Sequence, residues 1–72
     1  MDTAMDDIES DRLLRINQVI EIVSLSQAMI YRLVKAGRFP RPCKPGGVSS
    51  RWSEREIQAW VVAALASREA QS

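Results

Sequence analysis

The sequence predicts a small, mainly α-helical domain that carries one short β-hairpin. Two observations lead to this fold class. Apolar residues recur at helical spacing in three segments, and a serine able to cap a helix precedes the second and the third. All three prolines and a Gly-Gly pair lie between those two segments, where they exclude a helix and favour a tight turn between strands.

The chain of 72 residues can form one small domain at most. Its composition, 46% hydrophobic and 26% charged, is that of a globular protein. No apolar run approaches the length of a bilayer span, and acids stand where a signal peptide would carry bases. We therefore expect a cytoplasmic protein with no membrane partner.

The two ends of the chain are predicted to lie outside the domain. Residues 1–11 hold five acids, no base and no helical or strand period, so we expect a disordered acidic tail. The domain is predicted to span residues 12–68, and residues 69–72 are expected to be disordered.

The first predicted helix follows an apolar start of the domain. Asn17 can cap the N-terminus of this helix. The inward face of the helix comprises Val19, Ile20 and Val23, at positions i, i+1 and i+4. A helix of about two turns is stabilised by packing rather than by intrinsic propensity.

The second predicted helix spans residues 27–36 and follows a cap at Ser26. Gly37 supplies a left-handed C-terminal position, and Pro40 prevents the helix from continuing. Two short helices joined by a three- or four-residue turn form a helix-turn-helix.

The proline-rich stretch is predicted to form the hairpin. Its strands would lie near residues 42–45 and 48–52, with Gly46 and Gly47 in the turn. Cys43 in the first strand is interpreted as a small buried hydrophobic residue, with redox sensing as the alternative.

The third predicted helix begins at a capping box formed by Ser53 and Glu56 and continues to residue 67 or 68. Its inward face comprises Ile57, Trp60, Val61, Ala64 and Leu65. The three large aromatic residues near element junctions are interpreted as core, namely Phe39, Trp52 and Trp60.

A second apolar stripe lies opposite that inward face and comprises Ala59, Val62, Ala63 and Ala66. It could mediate a homodimer. Alanine is also the best helix former and needs no partner, so both interpretations stay open.

The residue types present argue against an enzyme. The chain has no histidine and one cysteine, which removes Ser-His and Cys-His pairs and the common structural zinc sites. We expect no catalytic residue, metal, cofactor or small-molecule ligand.

Charge is strongly segregated along the chain. From residue 12 to residue 51 there are eight bases and one acid, although the net charge of the whole chain is only +1. A concentrated positive charge of this kind is typical of proteins that bind nucleic acid.

The second helix places its charge on one face. Ile30, Leu33 and Val34 share an inward arc, and the outer arc holds Gln27, Ala28, Tyr31, Arg32 and Lys35. An ordinary solvent-exposed helix face carries both acidic and basic residues, which form i,i+4 ion pairs, whereas this arc contains no acid. The pattern favours phosphate as the counter-charge.

In a helix-turn-helix, the start of the second helix approaches base edges in the major groove. Gln27 suits adenine, Arg32 suits guanine, and Ala28 permits close approach. Tyr31 and Lys35 are assigned to phosphates. Further candidate phosphate contacts follow in the chain, namely Arg38, Arg41, Lys44, Ser49, Ser50 and Arg51.

The stretch “LLRINQVIEIVSLSQAMIYRLVKAGRFPRPCKPGG”, followed by “RWSEREIQAWV”, resembles the AlpA family of phage and prophage regulators, which are relatives of excisionases with a MerR-like winged helix-turn-helix. The resemblance covers residues 13–61. It implies a transcriptional regulator that binds double-stranded DNA through Gln27, Ala28, Tyr31 and Arg32, with residues 39–52 as the wing. The chain departs from the family pattern at residues 27–29 and at Val48.

Two other functions remain open at this point. An excisionase-like factor would bend DNA at a recombination site. A protein-interaction adaptor would use the second apolar stripe, with its basic face against an acidic protein surface, and would not bind DNA.

Overall fold

The computed structural model describes residues 11–70, with only the backbone of residues 69 and 70. It confirms the predicted class, since three helices accompany a two-stranded antiparallel sheet. The elements in chain order are β1 (Leu13–Leu14), α1 (Ile16–Val23), α2 (Gln27–Lys35), β2 (Trp52–Ser53) and α3 (Glu54–Ala70). Residues 1–10 and 71–72, where most of the predicted disorder falls, lie outside the described residues. None of the described helices is long and apolar enough to cross a membrane.

The sheet joins the start of the domain to the start of its last helix. Strand β1 pairs with β2 so that Leu13 lies opposite Ser53 and Leu14 opposite Trp52. Strand β1 is absent from the sequence prediction, because two residues are too few to show the alternation that marks a strand. The pairing closes the domain around both Leu14 and Trp52, whose side chains are fully buried.

Helix α1 begins one residue before the predicted cap. Arg15 occupies the cap position, and its backbone N–H donates to Oε1 of Gln18 at 2.9 Å. The prediction of Asn17 as the cap is therefore wrong, because Asn17 already lies in the first turn. The helix ends at Val23, and the left-handed backbone of its C-cap residue, Ser24 (φ 59°), turns the chain towards α2.

Helix α2 begins at Gln27 as predicted and ends at Lys35, one residue before the predicted end. The hydroxyl of Ser26 accepts a hydrogen bond from the N–H of Met29 at 3.1 Å. At the other end Gly37 takes φ 76°, its N–H donates to the carbonyl of Val34, and that of Arg38 donates to the carbonyl of Leu33. These two bonds are the Schellman pattern, in which a left-handed residue satisfies the last carbonyls of a helix.

The wing, residues 39–52, is a shorter hairpin than predicted. A single antiparallel bridge joins Cys43 to Arg51 through N–H···O bonds of 2.7 and 2.8 Å. The N–H of Gly47 donates to the carbonyl of Lys44 and closes the turn.

The predicted strands at residues 42–45 and 48–52 are therefore wrong in extent. Prolines on both sides of Cys43 lack the N–H groups that a longer ladder would need. Trp52 pairs instead with Leu14 of β1.

Two side chains cap the N-terminus of α3. The Ser53 hydroxyl accepts from the N–H of Glu56 at 3.2 Å, as predicted. The Asp11 carboxylate accepts from the N–H of Arg55 at 3.1 Å and from the Ser53 hydroxyl at 2.7 Å. Asp11, which the sequence places in the acidic tail, is thus part of the folded domain.

The Ser53 hydroxyl, and next the Arg55 N–H, hold the pKa of Asp11 below its ordinary value, because both hydrogen bonds favour the charged carboxylate. Beside this cap, an ion pair joins Nε of Arg12 to Oε1 of Glu54 at 3.0 Å. The positive charge of Arg12 is thus offset within the domain.

Among residues 11–70, six buried apolar residues form the core, namely Leu14, Val19, Ile30, Phe39, Trp52 and Ile57. The predicted inward face of α3 is confirmed only for its first half. Trp60 packs against the core, whereas Ala64 is exposed and Leu65 is 51% exposed. The N-terminal half of α3 therefore completes the core, and residues 62–68 are exposed to solvent.

Candidate nucleic-acid interface

The outer arc of α2 is exposed, as predicted. We call it the basic face, and it comprises Gln27, Ala28, Tyr31, Arg32 and Lys35. Its orientation follows from the opposite side of the helix, where Ile30 is fully buried and Leu33 and Val34 are partly buried against the core. Burial of three apolar side chains therefore fixes which side of α2 meets solvent.

Tyr31 belongs to both sides of the helix. Its ring meets that of Trp52 edge to face, with ring centroids 5.9 Å apart, yet the residue is 39% exposed. The sequence places Tyr31 among the outward residues and gives no sign of this contact. A ring held in this way presents its exposed part from a fixed position, which reduces the conformational entropy that binding would otherwise cost.

The predicted phosphate contacts in the wing, together with Arg38 just before it, differ in exposure. Arg38, Arg41, Lys44 and Ser49 are exposed. Ser50 and Arg51 are half-buried, and Nη1 of Arg51 donates to the carbonyl of Ser50 at 2.9 Å. The guanidinium of Arg51 therefore already has one partner within the wing.

Cys43 is exposed, so its interpretation as a buried hydrophobic residue is wrong. It joins the wing through backbone hydrogen bonds with Arg51. A hairpin held by one bridge has no covered face on which a side chain in that position could be buried.

Two tryptophan indoles fix the chain between α2 and the wing. Nε1 of Trp60 donates to the carbonyl of Arg38 at 2.9 Å, and Nε1 of Trp52 donates to the carbonyl of Pro40 at 3.0 Å. Between these two carbonyls, the buried ring of Phe39 packs edge to face against Trp60 at 4.8 Å. Sequence reasoning assigned both tryptophans to the core but missed these bonds. The indole N–H groups could have indicated these bonds, because the N–H of a buried indole usually has a hydrogen-bond partner.

The basic face and the wing form one uninterrupted cationic stretch. Residues 27–51 contain six bases and no acid. Within residues 11–70, no group of three histidine, cysteine, aspartate or glutamate side chains is placed to hold a metal ion. The arrangement suits an extended polyanion, with a helix that can enter a groove and a hairpin beside it.

Residues 12–65 match the family described as prophage CP4-57 regulatory protein (AlpA). The chain is also similar to the uncharacterized protein ORF88 of Enterobacteria phage P4, with 34% identity over 64 residues, 89% of this chain and 73% of that protein. No solved structure matches the chain.

Proposed function

Because the chain belongs to the AlpA family of prophage regulatory proteins, we propose that it binds double-stranded DNA sequence-specifically and regulates transcription of prophage or mobile-element genes. The observation that carries this proposal is the cationic stretch of residues 27–51, which has six bases, no acid and an exposed helix face. When such bases bind phosphates, they release the counterions condensed on DNA, and this release favours binding.

Helix α2 is the proposed reading element in the major groove. Gln27 and Ala28 stand in its first turn, where a helix-turn-helix approaches base edges. The Gln27 amide can both donate to and accept from adenine, and the Arg32 guanidinium can make two bonds to guanine. Lys35 and the exposed part of Tyr31 would then bind phosphates beside the groove.

The wing is the proposed source of sequence-independent affinity. Arg41 and Lys44 of the wing, and Arg38 just before it, are exposed and suited to phosphates. Ser49 and Ser50 add hydroxyl donors. Arg51 would contribute less, since part of its donor capacity is already used on the Ser50 carbonyl.

A salt titration with duplex DNA tests the proposal. About five phosphate contacts predict a slope of about −4 to −5 when the logarithm of the binding constant is plotted against that of the salt concentration. Selection from random duplexes should yield a preferred site bound more tightly than unselected DNA of equal length. No binding to any duplex at low salt would contradict DNA binding, and equal binding to all duplexes would contradict sequence specificity.

A further inference from the structure

We infer that Trp60 and Trp52 are positioning residues for DNA binding, because their indole N–H groups fix the base of the wing relative to α2. The inference rests on the proposed function, since its consequence is that the basic face and the wing engage one duplex together. Neither tryptophan needs to touch DNA for this role.

Arg38 connects two helices through its backbone alone. Its N–H donates to the carbonyl of Leu33 at the end of α2, and its carbonyl accepts from the Trp60 indole of α3. The hydrogen bond from α3 therefore fixes the direction in which the chain continues after α2. Without the indole N–H, this carbonyl would lose its hydrogen bond to α3, and the chain there would be held by the backbone bonds at the end of α2 and by the buried ring of Phe39.

Pro40 lies two residues further along and is held in the same way. Its carbonyl accepts from the indole of Trp52, the residue that ends the wing, so this bond ties the two ends of the wing together. Trp52 also contacts Tyr31 on the basic face and pairs with Leu14 of β1. Trp52 thus relates the wing to α2 through its side chain and to the sheet through its backbone.

Beyond these contacts, the backbone structure of the wing is slight. It consists of the Cys43–Arg51 bridge and one turn closed by the Gly47 N–H. Such a hairpin has little means of keeping a fixed angle to α2 by itself, because isolated two-stranded hairpins are at best marginally stable in water. The two indole bonds, with the buried ring of Phe39 between them, fix that angle at the base of the wing.

The experiment is a double-mutant cycle on the full chain, with the selected duplex as the probe. Trp60→Phe removes the indole donor and retains an aromatic ring against Phe39. The second change neutralises two exposed wing bases, as Arg41→Ala with Lys44→Ala. Gln58→Ala, an exposed position on α3, is the matched control for Trp60→Phe.

In the unmodified chain, neutralising the two bases should reduce the steepness of the salt dependence by about 2, at roughly 0.9 for each phosphate contact. In the Trp60→Phe chain the same neutralisation should change the steepness of the salt dependence by less than about 1. The effects of the two changes on the binding constant should depart from additivity by a factor of about three or more. The Gln58→Ala chain should behave like the unmodified one.

Equal effects of neutralisation in the Trp60→Phe and unmodified chains would overturn the inference. If Trp60→Phe fails to fold, a chemically synthesised chain with benzothienylalanine at residue 60 takes its place. This residue has sulfur instead of the indole NH and keeps the bicyclic shape. The same cycle then decides the question. If the unmodified chain binds DNA and the cycle is additive, only this inference fails, whereas absence of binding by the unmodified chain defeats the proposed function itself.

Discussion

Tyr31 and Trp52 meet edge to face, with their ring planes at 61°. One ring belongs to the basic face of α2, and the other is fully buried at the end of the wing. The contact joins the element proposed to read DNA to the core that holds it. A substitution at Tyr31 can therefore act on stability and on binding, and these two effects need to be separated.

Tyr31→Phe and Tyr31→Ala separate them. Phenylalanine keeps the ring contact and removes only the hydroxyl, so we expect unchanged stability and weaker binding to all duplexes. Alanine also removes the aromatic contact and should lower the free energy of unfolding by about 1 kcal/mol or more. Thermal melting and duplex titration measure the two effects. Unchanged affinity in the phenylalanine variant would remove the Tyr31 hydroxyl from the interface.

Arg32 and Lys35 are expected to differ in what they contribute. Arg32→Ala should relax base preference at one position of the selected site, at a cost of about 1–3 kcal/mol for the correct duplex. Lys35→Ala should weaken all duplexes alike and reduce the steepness of the salt dependence by about 1. Titration of selected and scrambled duplexes measures both. If each variant weakens the two duplexes by the same factor, Arg32 does not read a base.

Gly37 should tolerate no side chain without strain. Its φ of 76° is left-handed, and a Cβ there would meet no atom within 4 Å, so backbone conformation alone sets the cost of Gly37→Ala. We expect a loss of about 1 kcal/mol in the free energy of unfolding.

Gly46→Ala is the matched control, because it is equally open but has no positive φ. Its effect should stay within about 0.5 kcal/mol. Chemical denaturation compares the two variants, and equal losses would contradict the assignment of strain to Gly37.

Asp11 should make stability depend on acid pH. Because hydrogen bonds from Ser53 and Arg55 lower its pKa in the folded state, the charged form favours folding. This contribution is complete above the unfolded pKa of about 4 and is lost as the pH falls through the lowered folded value. Melting temperatures from pH 7 down to pH 2 should show a smaller decrease for Asp11→Asn than for the unmodified chain. Parallel curves would show that the Asp11 cap does not contribute.

The second stripe of α3 leaves two interpretations open, and Val62 can decide between them. Val62 is 65% exposed, so Val62→Glu should leave the fold intact and abolish any self-association through the stripe. Sedimentation measures the mass of both chains. Val48→Glu places the same charge at an 81% exposed wing residue and should leave self-association unchanged. An unmodified chain that sediments as a monomer would assign the stripe to helix propensity alone.

Local chemistry is what the sequence made predictable. Ser26, Gly37 and Ser53 act within three or four residues of themselves, so cap positions and apolar spacing give α2 and the start of α3. The exposure of the basic face follows from the same spacing, because Ile30 and its neighbours define the buried side. Its contact with DNA stays a prediction.

The features missed by sequence reasoning depend on distant residues. Strand β1 exists only because Leu14 meets Trp52, and Asp11 acts as a cap only because β2 brings Ser53 to it. The exposure of Cys43 reflects a wing too short to cover one side chain. Apolar spacing could not show that α3 packs against the core only as far as Trp60. The expected burial of Leu65 is therefore wrong.

The bond between Asp11 and Ser53, which spans 42 residues, has a consequence for protein synthesis. A chain that ends within the wing contains α1 and α2 but lacks Trp52 and Ile57, two members of their core. A nascent chain that stops within the wing would therefore lack a stable core and remain open to proteases. We expect a stable fold to require the first turns of α3, so a premature stop codon in the wing would yield a degraded fragment rather than a competing half-domain.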